Sequence, residues 1–324
     1  MLSGILAGIF WALETVVLGI ALAASPFVSS EEALFLAPFV ATFLHDACSS
    51  LYMLIFNVAR GSSRELFGIF KSKNLPWLIL ASAIGGPVGM TGYVMAVNFM
   101  GASVGAVASA IYPAIGTALA FFFLKEKVRW YQWLFLFFTL LGVLGISYSP
   151  ALTLSNVWLG LLGALMCAFG WGIEAVILAK CLKSDEIKSE YALWARQTTS
   201  ALVYGALIIP ILGGVRFTAS LFVGEGIATL PTVALAALFA TLSYLCYYSA
   251  IASLGAARAM ALNITYTAWA IVFTVLILRD TSVLNPTTLL CALVVLVCGI
   301  FAAQNLSSLF SRKRKDEDIS DGRQ

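Results

Sequence analysis

Two tryptophan–glutamate pairs are the residues best suited to chemistry in this chain. Trp11 precedes Glu14 by three positions, and Trp171 precedes Glu174 by three. Residues three apart share a helix face, so each indole stands beside a carboxylate. That combination suits an organic cation: the ring face attracts the charge through its quadrupole and the carboxylate supplies the counter-charge. Either pair alone also reads as an interfacial tryptophan beside a structurally bonded carboxylate; recurrence favours the binding role. Asp46, with His45 beside it, is a third acid and the candidate proton-coupling group, its structural alternative being a hydrogen bond to a neighbouring helix. Arg196 is the main buried cation. It pairs with Asp46 or Glu174, holds a substrate carboxylate, or snorkels to a helix end. Six aromatic residues, Tyr93, Tyr112, Tyr244, Tyr247, Tyr266 and Trp269, complete the candidates, with Tyr112 and Tyr247 placed in the site alongside the two pairs.

Other chemistries find no support. The chain has one histidine, and its six cysteines lack metal-ligand spacing, so no metal or cofactor is expected. Phosphate-binding loops and nucleophile–base arrangements are missing, and nucleic-acid binding is not indicated.

The elements that must position these side chains are membrane spans. Of the 324 residues 61% are hydrophobic and 11% charged, with a mean hydropathy of +0.95; a soluble domain is about a quarter charged. About 20 apolar residues cross a bilayer as a helix. Ten such spans are readable: 4–23, 35–58, 76–99, 102–124, 129–148, 157–181, 190–213, 229–252, 257–278 and 285–305. Glu14 falls about ten residues into the first, roughly 15 Å along the helix and near mid-bilayer. An ionisable group there is costly and a functional candidate by default. Gly85, Gly86 and Pro87 weaken the third span, Pro113 bends the fourth, and Gly101, Gly105 and Ser109 allow close helix contact. No cleavable leader stands out, and residues 306–324 read as a charged, disordered cytoplasmic tail.

Basic residues set the orientation. With the N-terminus inside, sixteen of them fall in inside segments: Arg60, Arg64, Lys71 and Lys73; Lys125, Lys127 and Arg129; Lys180, Lys183 and Lys188; Arg258; and five in the tail. Arg216 and Arg279 are the two outside. Both termini are therefore expected in the cytoplasm, and the short loops suit a bacterial plasma (inner) membrane.

The halves repeat. An offset of 154 carries Tyr93 to Tyr247, Gly101 to Gly255, Tyr112 to Tyr266, Lys125 to Arg279 and Glu126 to Asp280; an offset of 160 carries Trp11 to Trp171 and Glu14 to Glu174. Residues 1–150 and 151–305 thus read as two five-helix units. An odd number of spans inverts the second copy, giving inverted-topology repeats with a site at their interface. Thr267 stands where the first half has Pro113, so the second half lacks the proline that would break its fourth span.

This pattern, with GASVGAVASAIYPAI over 101–115 and FFLKEKV over 122–128, resembles the EamA-type branch of the drug/metabolite transporter superfamily over roughly residues 3–305. The resemblance implies an all-α polytopic fold and a central cavity opening alternately to either side. Glu14 also resembles the essential first-helix glutamate of the small multidrug-resistance branch. Choline-transporting members of the ten-helix branch make choline, or another quaternary ammonium compound, the leading expected substrate. Energy would come from an ion gradient or the membrane potential. The competing expectations are an exporter of amino acids using Arg196, a membrane-embedded lipid-modifying enzyme, and a non-transporting scaffold; no catalytic residues are expected. The partners expected are a small-molecule substrate and the bilayer, with the chain a monomer or homodimer.

Overall fold

Capping residues set the helix starts. The Ser30 hydroxyl accepts a hydrogen bond from the Ala33 amide at 3.0 Å, and Glu31 and Glu32 fill the first turn, where the helix dipole favours acids. Helix α2 (Glu31–Ala59) therefore begins before its apolar run does. The Asn285 side chain does the same for the last helix by accepting from the Thr288 amide at 2.9 Å.

The computed structural model describes residues 1–100, 110–147, 156–183 and 187–305, and all regular structure among them is helical. Besides α2, the main elements are α1 (Leu2–Leu22), α3 (Leu75–Ala83), α4 (Gly89–Met100), α5 (Tyr112–Phe123), α6 (Trp130–Ser147), α7 (Val157–Lys183), α8 (Ser189–Val203), α9 (Leu230–Leu254), α10 (Ala256–Asn263), α11 (Tyr266–Phe273) and α12 (Pro286–Ala303). Gly85, Gly86 and Pro87 lie in a π turn, Ile84–Val88, that joins α3 to α4 in one run. Further π turns follow α8 and α11.

Eight described helical runs are long and apolar enough to cross a membrane. Of the other two expected spans, α5 is apolar but described only from the middle of its span, and α8 is made more polar by Arg196 and Gln197. The Gly101, Gly105 and Ser109 stripe and the 306–324 tail lie outside the described residues.

Missing proline does not keep α10 and α11 continuous. The chain turns at Ile264–Thr265, the same register, offset by 154, as the turn Ala110–Ile111 before α5. The Thr265 hydroxyl donates to the Leu262 carbonyl at 2.6 Å. Such a local bond competes with the helical ladder and supplies a breaking signal that does not need proline.

In the packing, α1 lies against α9 and α11, α7 lies against α4 and α5, α2 lies against α8, and α6 lies against α12. Contact between α4 and α7 is close enough that a Cβ on Gly92 would stand 2.5 Å from the Gly163 carbonyl oxygen. Outward faces carry exposed Leu and Phe, with Trp130 and Trp158 exposed at the starts of α6 and α7. Tryptophan is favoured where a helix meets the membrane interface.

Candidate functional site

Six aromatic rings line one central cleft. Trp11 comes from α1, Tyr112 from α5, Trp171 from α7, Tyr244 and Tyr247 from α9, and Tyr266 from α11; Glu174, Ala175, Ser243 and Asn263 complete the wall of a partly open cleft. Ser243, Tyr244 and Tyr247 reach it together because positions i, i+1 and i+4 fall on one side of a helix. The Ser243 hydroxyl also donates to the Ala7 carbonyl at 2.7 Å, tying α9 to α1.

Each tryptophan meets two tyrosines, and only the Tyr112 and Tyr266 partners are repeat-related. Trp171 stands edge-on to Tyr112 at 5.4 Å and stacks on Tyr93 at 6.0 Å. Trp11 stands edge-on to Tyr266 at 6.4 Å and to Tyr244 at 5.1 Å. The Asn263 amide nitrogen donates to the Tyr112 hydroxyl at 3.1 Å, while its carbonyl oxygen is buried without a hydrogen-bond partner.

A chain of charges runs beside the cleft. Glu14, His45, Asp46, Glu174 and Arg196 are each at most 7% exposed. Arg196 Nε donates to Glu174 Oε1 at 3.0 Å, and its terminal nitrogen reaches Asp46 Oδ2 at 3.4 Å and Gln197 Oε1 at 2.6 Å. The guanidinium lies 4.7 Å from the centre of the Tyr244 ring. His45 Nδ1–H donates to Asp46 Oδ1 at 2.9 Å, and His45 Nε2 faces Glu14 Oε1 at 3.8 Å. Gln197 donates onward to the Ser49 hydroxyl, which also accepts from Thr241.

Glycine makes room for the central carboxylate. A Cβ on Gly85 would collide with the Glu174 carboxyl, so the π turn and α7 can approach here only with glycine at that position.

Of the residues expected in the site, Trp11, Tyr112, Trp171, Glu174 and Tyr247 line the cleft. Glu14 does not; it sits behind, against His45. Asp46 likewise does not line the cleft and is joined to Glu174 through Arg196. Ser243 and Asn263 carry no sequence signal of their own, since a lone serine or asparagine in a span reads as packing. Arg196 is buried and bonded to Glu174, Asp46 and Gln197 rather than reaching a helix end. Among the described residues no cluster of histidine, cysteine or acids is arranged to hold a metal ion.

Protein LicB of Haemophilus influenzae is 30% identical to this chain over 294 residues, which make up 90% of this chain and 93% of LicB. The sequence model of the EamA-like transporter family matches residues 1–148. The chain belongs to the EamA-like transporter family. A solved crystal structure sharing 16% identity superposes with a TM-score of 0.68 over 94% of this chain and 97% of that one, a likeness of fold alone. As a family member with these apolar helices, it is a multi-pass membrane protein of the drug/metabolite transporter superfamily.

Proposed function

We propose that this EamA-family protein is a secondary transporter of a small organic cation, choline or another quaternary ammonium compound, working by alternating access and without enzymatic activity. The observation that carries the reading is the cleft itself, with six aromatic rings around one carboxylate. A quaternary ammonium offers no N–H to donate, so it is held by ring faces and by charge, each ring contributing about 0.5–2 kcal/mol.

The charge balance supports the same class. Glu14, Asp46 and Glu174 bring three negative charges and Arg196 one positive. Because His45 donates through Nδ1 to Asp46, its Nε2 lone pair would face the Glu14 carboxylate unless a proton sits between them. With that proton the cluster carries net −1, which one monovalent cation neutralises. We place the exchangeable proton on the Glu14–His45 pair, with Asp46 orienting the imidazole. The amino-acid reading needs a free Arg196, and the two carboxylates on its guanidinium count against it.

Two-fold relatedness between 1–150 and 151–305 is part of the proposal. It is supported by the equivalent edge-on contacts Trp171–Tyr112 and Trp11–Tyr266, by the turns at Ala110–Ile111 and Ile264–Thr265, and by the left-handed backbone at both Lys125 and Arg279 (φ 53° and 56°). We also place both termini in the cytoplasm of a bacterial cell. A cation moving inward down an inside-negative potential then gains about 2.3 kcal/mol per 100 mV.

Thermal-shift titration of the purified protein tests this. Choline and tetramethylammonium are expected to stabilise the wild type, with the effect lost in Glu174→Gln, and proteoliposomes should take up choline. Stabilisation by neutral amino acids alone, insensitive to Glu174, would overturn the cation reading.

A further inference from the structure

A second, much larger space lies on the opposite face of α7. Trp171, Glu174 and Ala175 face the central cleft. Phe169, Ile173, Ile177 and Lys180, spaced three or four apart, form a separate stripe. That stripe floors an open groove bounded by the start of α3, the end of α5 and the end of α9.

The groove is apolar below and basic at its rim. Trp77, Phe123 and Phe169 are exposed large apolar side chains on its wall. Lys73, Lys127, Lys180, Lys183 and Arg258 line it at one end of the bundle. Each stands at or just beyond the end of an apolar helix, which is the level of a lipid headgroup. Glu126 is the one acid among the described lining residues. Its carboxylate is occupied by the Ala256 and Ala257 amides at 2.8 and 3.1 Å. Lys180 Nζ lies 5.8 Å from the Trp77 ring centre, so its stem follows the aromatic wall while its charge stays at the rim.

We propose that this groove binds an anionic phospholipid of the adjacent leaflet, its phosphate among the lysines and its acyl chains along the α7 stripe. Apolar surface alone would take any lipid. Five basic side chains against one engaged acid select a negative headgroup, because basic pockets between membrane helices bind such headgroups. The inference does not depend on which solute the central cleft carries.

Native mass spectrometry of the full chain, with phosphatidylglycerol and phosphatidylcholine of identical acyl chains, is the test. Phosphatidylglycerol should be retained at clearly higher occupancy, and Lys180→Gln with Lys183→Gln should lower that retention by about fivefold per lysine. Lys180→Arg with Lys183→Arg should retain it, as should Arg60→Gln with Arg64→Gln, which lie outside the groove. A second readout needs no variant: phosphatidylglycerol, but not inorganic phosphate or phosphatidylcholine, should protect Lys180 and Lys183 from an amine-labelling reagent relative to Lys71. Equal retention of the two lipids, equal loss in the Arg60/Arg64 control, or protection by inorganic phosphate would overturn the proposal.

Discussion

Replacing Arg196 with glutamine removes the single permanent positive charge in the buried cluster. Its contacts with Glu174 at 3.0 Å and Asp46 at 3.4 Å correspond to attractions of about 5 kcal/mol each at an effective dielectric constant of 20. Desolvation offsets much of that, and removing one partner of a buried pair typically costs about 3–5 kcal/mol. A loss of that size is expected to lower the Tm by several degrees. The variant also leaves Glu174 uncompensated at the cleft wall, and a bound cation then does electrostatically what Arg196 did. Choline should therefore raise the Tm of Arg196→Gln by several degrees more than it raises that of the wild type. Adding Glu174→Gln should recover part of the lost stability and abolish the extra choline effect. A scanning thermal melt with and without choline measures all of this. An Arg196→Gln protein as stable as wild type, or a double variant as unstable as the sum of its singles, would refute the reasoning.

Gly85→Ala should displace the Glu174 carboxyl and weaken cation binding at least tenfold, while Gly68→Ala, where a Cβ meets nothing within 4 Å, should leave titrations unchanged. Trp171→Leu should weaken choline binding by roughly 2–30-fold from loss of one cation–π contact of about 0.5–2 kcal/mol; Tyr244→Phe, which keeps the ring, should change it little. Asn263→Leu should lower affinity for a hydroxyl-bearing amine such as choline more than for tetramethylammonium, because the unpartnered carbonyl oxygen offers an acceptor that only the first can use; equal losses in competition binding would refute this. Outside the membrane, a hydrogen bond from Tyr191 and the charge of Lys188 hold the Glu65 carboxyl below its usual range. The stabilisation from this contact is present above the ordinary carboxylate pKa and fades as pH falls through the lowered one. Solvent screens so exposed a pair, so Glu65→Gln should leave the melting temperature at neutral pH essentially unmoved.

How much of this was legible beforehand depended on whether the signal was local. Apolar run length is local, and eight described helices match expected spans to within a few residues. The π turn at Ile84–Val88 was signalled by Gly85, Gly86 and Pro87. The break before Tyr266 was not, because it depends on a threonine bonding its own backbone, and a threonine in an apolar span carries no such meaning by itself. The two Trp–Glu pairs follow one spacing, yet Trp11, Trp171 and Glu174 line the cleft and Glu14 does not. Glu174 reaches the cleft because Gly85 leaves it space, and Glu14 meets His45 because α1 and α2 come together there. Both facts belong to packing between distant segments, which spacing along one helix does not encode.

The same distinction explains why the site's polarity was harder to read than its aromatic character. Away from the span ends, counting residues gives three acids, Glu14, Asp46 and Glu174, and one arginine, Arg196, which suggests a strongly anionic site. Packing changes what a substrate meets: Arg196 pairs with Asp46 and Glu174, and in the proposed function one proton compensates the Glu14–His45 pair. The residual charge is spread along a chain of contacts reaching from α1 to α7 instead of concentrated at the cleft. In the proposed function, a bound cation and a proton therefore act on one shared charge balance without touching each other. Adding the cation at Glu174 loosens the hold of Arg196 there and strengthens its hold on Asp46, the carboxylate that orients His45. Coupling of substrate to proton would follow from that redistribution alone, with no contact between the substrate and Glu14.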